Sequence, residues 1–271
     1  MANIQKVVAA CSVWLGVAWA PVQAQSEEIW LVNTPTYASL SRDQLRLDVV
    51  SRYTRYQLPD VRGEVADFFL SLHYGVSDRS MFIFTVPFVW IDNLPGRFGI
   101  GDVSVGYRHT LWQSDLLGLA LAPRLYLPTG DASNLMGSDR VGFQLAAYLG
   151  AKLGAVSLHA GVAYGDRGYV RSQFYRSRSG SLSYASQVVH AGILSVSGAA
   201  TWRAARFLLL AAEGTGNLAP EFSDHEVFVQ LGAILTIGRF RLRGSGGIGL
   251  PPDERRAGDL RATFGVGFVT P

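Results

Sequence analysis

The histidines of this chain are the residues best able to move protons or hold a metal, and their neighbours decide whether they do. His73, His109, His159, His190 and His225 are followed by Tyr74-Gly75, Thr110-Leu111, Ala160-Gly161, Ala191-Gly192 and Glu226-Val227. No His-x-Ser pair results, so the base and nucleophile that certain lipid hydrolases place two residues apart are missing. Neither His73 nor His159 has a second histidine or a cysteine at metal-ligand spacing. Gly244-Ser245-Gly246-Gly247-Ile248-Gly249 matches the spaced glycines of a dinucleotide site, but Pro251-Pro252 follows and leaves no helix N-terminus to hold a pyrophosphate. No catalytic residue, metal or cofactor is expected. What remains is charge of an unusual kind: only Lys6 and Lys152 are lysines among 24 basic residues, and the rest are arginines, suited to fixed planar contacts.

Those arginines need a scaffold, and composition limits which. The 271 residues are 48% hydrophobic and 17% charged, which excludes a disordered chain. Thirty glycines and 11 prolines, without a triplet period, argue against collagen and against a mostly helical fold. A formal charge of +3 is too near balance for nucleic-acid binding by charge. Residues 1–24 carry Lys6, an apolar run from Val7 to Ala20, and Val22-Gln23-Ala24, the pattern of a secretory signal peptide cut after Ala24. A rival lipoprotein-type cut at Val8-Ala9-Ala10-Cys11 has too short an apolar run before it. With the first cut the sole cysteine, Cys11, is lost, and neither a disulfide nor a thiol nucleophile is expected.

No later stretch reaches the roughly 18 apolar residues a membrane helix needs. Instead, segments of strand length alternate with period two. In one, Val141, Phe143, Leu145, Ala147 and Leu149 oppose Gly142, Gln144, Ala146 and Tyr148. In another, Val227, Val229, Leu231, Ala233, Leu235 and Ile237 oppose Glu226, Phe228, Gln230, Gly232, Ile234 and Thr236. A third sets Arg239, Arg241, Arg243, Ser245, Gly247 and Gly249 against Phe240, Leu242, Gly244, Gly246, Ile248 and Leu250. Twelve such strands begin near Gln44, Arg62, Arg79, Gly99, Leu116, Arg140, Ala155, Ser186, Arg206, His225, Arg239 and Gly258. Connections after the even strands are two or three residues; those after the odd strands, at 58–61, 93–97, 129–139, 168–185, 215–224 and 251–257, are longer. Strict alternation of short and long connections around an even-stranded sheet is the asymmetry of a closed antiparallel transmembrane β-barrel, here over residues 43–271.

The competing reading is a secreted β-sandwich or soluble ligand barrel. Its difficulty is volume, because a twelve-stranded barrel is wider than the eight strands that side chains can fill. Turning the aliphatic faces to lipid removes it, since a closed barrel satisfies its own backbone in a bilayer. The inward set is then Arg46, Asp48, Arg52, Asp67, His73, Asp102, Arg108, Arg124, Tyr126, Tyr148, Lys152, Glu213, Arg241, Arg243 and Arg261, the candidate solute path. Carboxylates and arginines are expected to pair across neighbouring strands, mostly as scaffold.

Four stretches carry a family resemblance: Tyr74-Gly75-Val76-Ser77-Asp78-Arg79, Val86-Pro87-Phe88, Gly99-Ile100-Gly101-Asp102-Val103-Ser104-Val105-Gly106-Tyr107-Arg108, and Leu127-Pro128-Thr129-Gly130-Asp131. From about Asp43 onward the chain resembles the outer-membrane barrels grouped as meta-pathway phenol-degradation proteins. The resemblance implies a transporter-like barrel in a bacterial outer membrane, taking up aromatic or other small hydrophobic solutes. Its implied surroundings are outer-membrane lipids, lipopolysaccharide and the barrel-assembly machinery. The last strand, with Leu260, Ala262, Phe264, Val266 and Phe268 on one face, resembles the terminal assembly signal of such barrels, although Val269-Thr270-Pro271 follows the aromatic.

Three local expectations complete the reading. Pro87 and Pro123 each remove a ladder donor, so bulged or frayed pairing is expected beside them. Residues 168–185, with Tyr169, Arg171, Phe174, Tyr175, Arg176 and Arg178, are expected to be an external loop, either solvated, folded inward, or touching lipopolysaccharide phosphates. Residues 25–42, with Ile29, Trp30, Leu31 and Tyr37, either plug the lumen, Trp30 foremost, or pack loosely in the periplasm; loose packing is the expectation. The main functional rival to a solute channel is a barrel that organises the membrane surface without transport.

Overall fold

A computed structural model of the chain describes residues 35–57, 62–91, 97–131, 136–176, 182–219, 224–250 and 260–270. The strands, in chain order, are β1 (Leu45–Gln57), β2 (Arg62–Ser77), β3 (Ser80–Ile91), β4 (Arg97–Ile100), β5 (Ser104–Gln113), β6 (Leu117–Tyr126) and β7 (Gly142–Leu153). They continue with β8 (Val156–Arg176), β9 (Leu182–Ala205), β10 (Leu208–Ala219), β11 (Asp224–Ile237), β12 (Phe240–Leu250) and β13 (Leu260–Val269). Apart from β4 and β5, chain neighbours pair antiparallel, and β1 pairs with β13 from Arg46↔Val269 to Arg55↔Leu260, which closes the sheet. Both β4 and β5 lie along β3, so they are two pieces of one wall strand and the barrel has twelve positions, the number expected.

The prolines explain the breaks. Opposite Pro87 the wall strand opens between β4 and β5, and Gly101 N–H donates to Pro87 O at 2.8 Å. Beside Pro123 the β5–β6 ladder passes from Gly106↔Arg124 to His109↔Leu121 with the pairs between them missing, while β6–β7 stays continuous through Pro123↔Leu145. A proline can keep its carbonyl in one ladder while denying a donor to the other.

Five tight turns lie at one end, between β2 and β3, β5 and β6, β7 and β8, β9 and β10, and β11 and β12. Gly154 and Gly238 sit there at φ +67° and +58°, a backbone region where a side chain is strained. The longer connections share the opposite end, as expected, but two are shorter than the sequence implied. β8 runs to Arg176 and β9 starts at Leu182, and β10 runs to Ala219, so most of 168–185 and part of 215–224 are paired strand rather than loop. Arg178 lies outside the described residues.

Exposure alternates as the period-two reading requires. Leu145 is 54% exposed, Val229 46% and Leu231 70%, while Ala146 and Gln230 beside them are buried. Leu47, Val49, Phe82, Phe84, Val105, Leu125, Leu149, Leu158 and Phe264 continue the apolar belt outside. A face this large and aliphatic, wrapped around a sheet with no open edge, is a surface for hydrocarbon.

Candidate functional site

The inward face gathers the charged residues. Asp48 is the hub at the turn end of the lumen, and it holds two arginines and a histidine. Arg46 Nη2 donates to Asp48 Oδ1 at 3.0 Å, and Arg46 Nε lies 2.8 Å from Oδ2 as a close ionic contact rather than an aligned hydrogen bond. Arg243 Nη2 lies 3.0 Å from Oδ1, and His73 Nε2 lies 3.3 Å from Oδ2. Four strands build this group: β1 gives Arg46 and Asp48, β2 places His73 opposite Arg46, β12 supplies Arg243, and β13 provides room. A side chain at Gly267 would run into Asp48, and one at Gly265 would come 2.6 Å from Arg243 Nε. All four charged or titratable members are at least 95% buried. The expected pairing across strands is present, yet it is not one carboxylate to one arginine.

Nearer the loop end Arg52 donates from Nε (2.9 Å) and Nη2 (2.6 Å) to Asp67 Oδ2, and its guanidinium stands 5.1 Å from the Phe69 ring centre. Arg261 lies 3.3 Å over the Phe228 ring and donates from Nε to Thr54 Oγ1 at 3.4 Å. Tyr126 O–H donates to Gln144 Oε1 at 3.1 Å. Arg124 reaches over Gly106, and Arg108 sits 5.0 Å from the Tyr148 ring centre. Glu213 and Arg241 are buried on the inward faces of β10 and β12. Lys152 is inward and half-buried at the turn end, opposite Ser157.

Asp102, another residue of the inward set, is held by loop donors. Its Oδ1 accepts from Gly130 N–H at 3.0 Å, and its Oδ2 accepts from Ser138 N–H at 2.7 Å and Ser138 O–H at 2.5 Å. Thr129 Oγ1 accepts from Val103 N–H at 2.9 Å, and buried Met136 lies against Gly99. Two of the stretches that carried the family resemblance, 99–108 and 127–131, therefore fasten to one another and hold the β6–β7 connection at the loop-end mouth. Sequence reading missed this because the partners are 28 and 36 positions apart.

Of the segment before β1, residues 35–41 fold into the turn end of the lumen, and residues 25–34 lie outside the described residues. Tyr37 is buried with its ring on Gly118 and Gly150, which face one another across β6 and β7, so any side chain at either glycine would collide with the ring. Thr110 O–H donates to Tyr37 O at 3.0 Å and Arg108 Nη1 donates to Ala38 O at 3.2 Å. Leu40 fills a pocket of Met81, Ile83 and Val269, so the lumen also has an aliphatic side that the sequence reading did not give it. Trp30, the residue expected foremost in a plug, lies outside the described residues. In the 244–249 run Gly247 makes room for Gln230, and Gly244 and Gly246 face outward with Leu242 and Ile248, as the period-two pattern implied.

No protein-family model and no curated protein matches this sequence. Its fold is shared with solved structures at low identity. The COG4313 outer membrane channel from Pseudomonas putida F1 superposes with a TM-score of 0.66 at 15% identity, over 86% of this chain and 98% of that one. The NanC porin gives 0.54 at 10% identity, over 82% and 98%. The translocator domain of the autotransporter NalP from Neisseria meningitidis gives 0.51 at 13%, over 83% and 87%. Closed wall, lipid-facing exterior and polar lumen together make this chain a twelve-stranded β-barrel of the bacterial outer-membrane type.

Proposed function

We propose that the chain is exported by a leader ending at Ala24, inserted by the barrel-assembly machinery into a bacterial outer membrane, and there forms a passive channel for small hydrophobic or aromatic compounds. The observation that carries this reading is the division of the wall: aliphatic side chains face outward along each strand, while arginine, hydroxyl and small residues line the inside. A barrel that only anchored itself would need the exterior alone. The fold it shares with channels and porins supports the same reading. The resemblance to the meta-pathway phenol-degradation barrels supports aromatic solutes. By the loop rule the tight turns face the periplasm, and the extension of β8 and β9 lies at the outer end, where the arginines of its sequence suit lipopolysaccharide phosphates.

One observation favours the non-transporting rival, namely that residues 35–41 occupy the periplasmic mouth. The two readings separate in liposome swelling. The refolded chain is expected to admit small solutes, and Tyr37→Ala combined with Leu40→Ala is expected to raise the rate several-fold by clearing that mouth. Liposomes impermeable to every solute with both proteins would favour the structural barrel.

A further inference from the structure

The lumen's charge is lopsided in a way the near-neutral chain conceals. One continuous row of paired residues crosses the wall as Arg46↔His73, His73↔Ile83, Ile83↔Gly106 and Gly106↔Arg124. Arg108 stands two residues further toward the turn end on β5, and Arg243 reaches into the same region from β12. Among the described residues, the buried carboxylates near these four guanidiniums are Asp48 and, two strands from Arg243 on β10, Glu213. Asp48 already serves two arginines at once. Guanidinium stays charged at any working pH, so an excess of positive charge persists whatever pairs form. Confined by low-dielectric walls, such an excess focuses the field along the lumen and draws anions in.

We infer that the positive field of Arg46, Arg108, Arg124 and Arg243, with half-buried Arg124 the guanidinium that a passing solute meets, makes the channel anion-selective, and that the aromatic solutes proposed above are arylcarboxylates. The inference rests on the channel reading above. Rings of arginine select anions in pores. Guanidinium also matches a carboxylate with two parallel hydrogen bonds.

The test is the reversal potential of the full chain from Gln25, refolded into planar bilayers under a potassium chloride gradient. Chloride is expected to permeate roughly three-fold or more faster than potassium, and benzoate replacing chloride is expected to carry current. Arg124→Gln is expected to lower the ratio about two-fold while Arg124→Lys preserves it; Arg124 is chosen because it is half-buried and leaves no Asp48 contact broken. Heat-modifiable gel mobility confirms that each variant is folded. A conducting pore that prefers potassium or discriminates neither ion, or a ratio unmoved by Arg124→Gln, overturns the inference and leaves the channel reading intact. Exclusion of benzoate from a chloride-selective pore overturns the arylcarboxylate class. A folded protein that conducts nothing overturns the channel reading and this inference with it.

Discussion

Arginine in place of Leu145 or Val229 is expected to block insertion, while arginine in place of Gln144 is expected to leave assembly near normal. The three positions lie on β7 and β11, and the first two are about half exposed on the outer face. Near the bilayer midplane a lipid-facing arginine costs about 2–4 kcal/mol. Because Gln144 faces the lumen and accepts from Tyr126, an arginine there joins an environment already rich in guanidinium. Its neighbour Gly165 packs closely against it, so the expected effect is a small loss rather than none. The check is the folded fraction after dilution from urea into lipid vesicles, read by heat-modifiable mobility. Equal losses at Gln144 and Leu145 would place the register one residue away.

Asp48→Ala is expected to destabilise the folded barrel more than any other single change in the lumen. Removing it leaves Arg46 and Arg243 buried with their shared anion gone, a situation that typically costs about 3–5 kcal/mol. The cost arises from desolvated charge, so it is reversible by removing charge again: Asp48→Leu with Arg46→Leu is expected to recover much of the loss. Denaturant unfolding in micelles measures both. A single variant within about 1 kcal/mol of the parent would mean that water reaches these guanidiniums and that the cluster is not the dry hub described.

The chain wrote its faces more clearly than its lengths. The alternation in β7, β11 and β12 fixed which side chains meet lipid, because aliphatic and small residues have opposite preferences there. The tight turns and the frayed ladder beside Pro123 were legible for the same local reasons. In the far halves of β8 and β9 the sequence mixes tyrosine, serine and arginine without an apolar period, so the β8–β9 ladder runs further than the pattern indicated. The inward list of charges was legible, but its grouping was not: nothing near Asp48 in sequence announces that Arg243 shares it. Nor could Tyr37 be assigned, since its seat is made by the absence of side chains at Gly118 and Gly150, and the loop partners of Asp102 were hidden by their distance in sequence.

The most direct test of hydrocarbon as the solvent for the outer face is spin-label accessibility along β11, residue by residue from Val227 to Ile237, in a chain with Cys11 removed and reconstituted into vesicles. Collision with dissolved oxygen is expected to peak at Val227, Val229, Leu231, Ala233 and Leu235, and collision with a water-soluble nickel complex is expected to fall at those same positions. A profile without this two-residue period, or one in which the aqueous reagent reaches Val229 and Leu231 best, would contradict the membrane barrel.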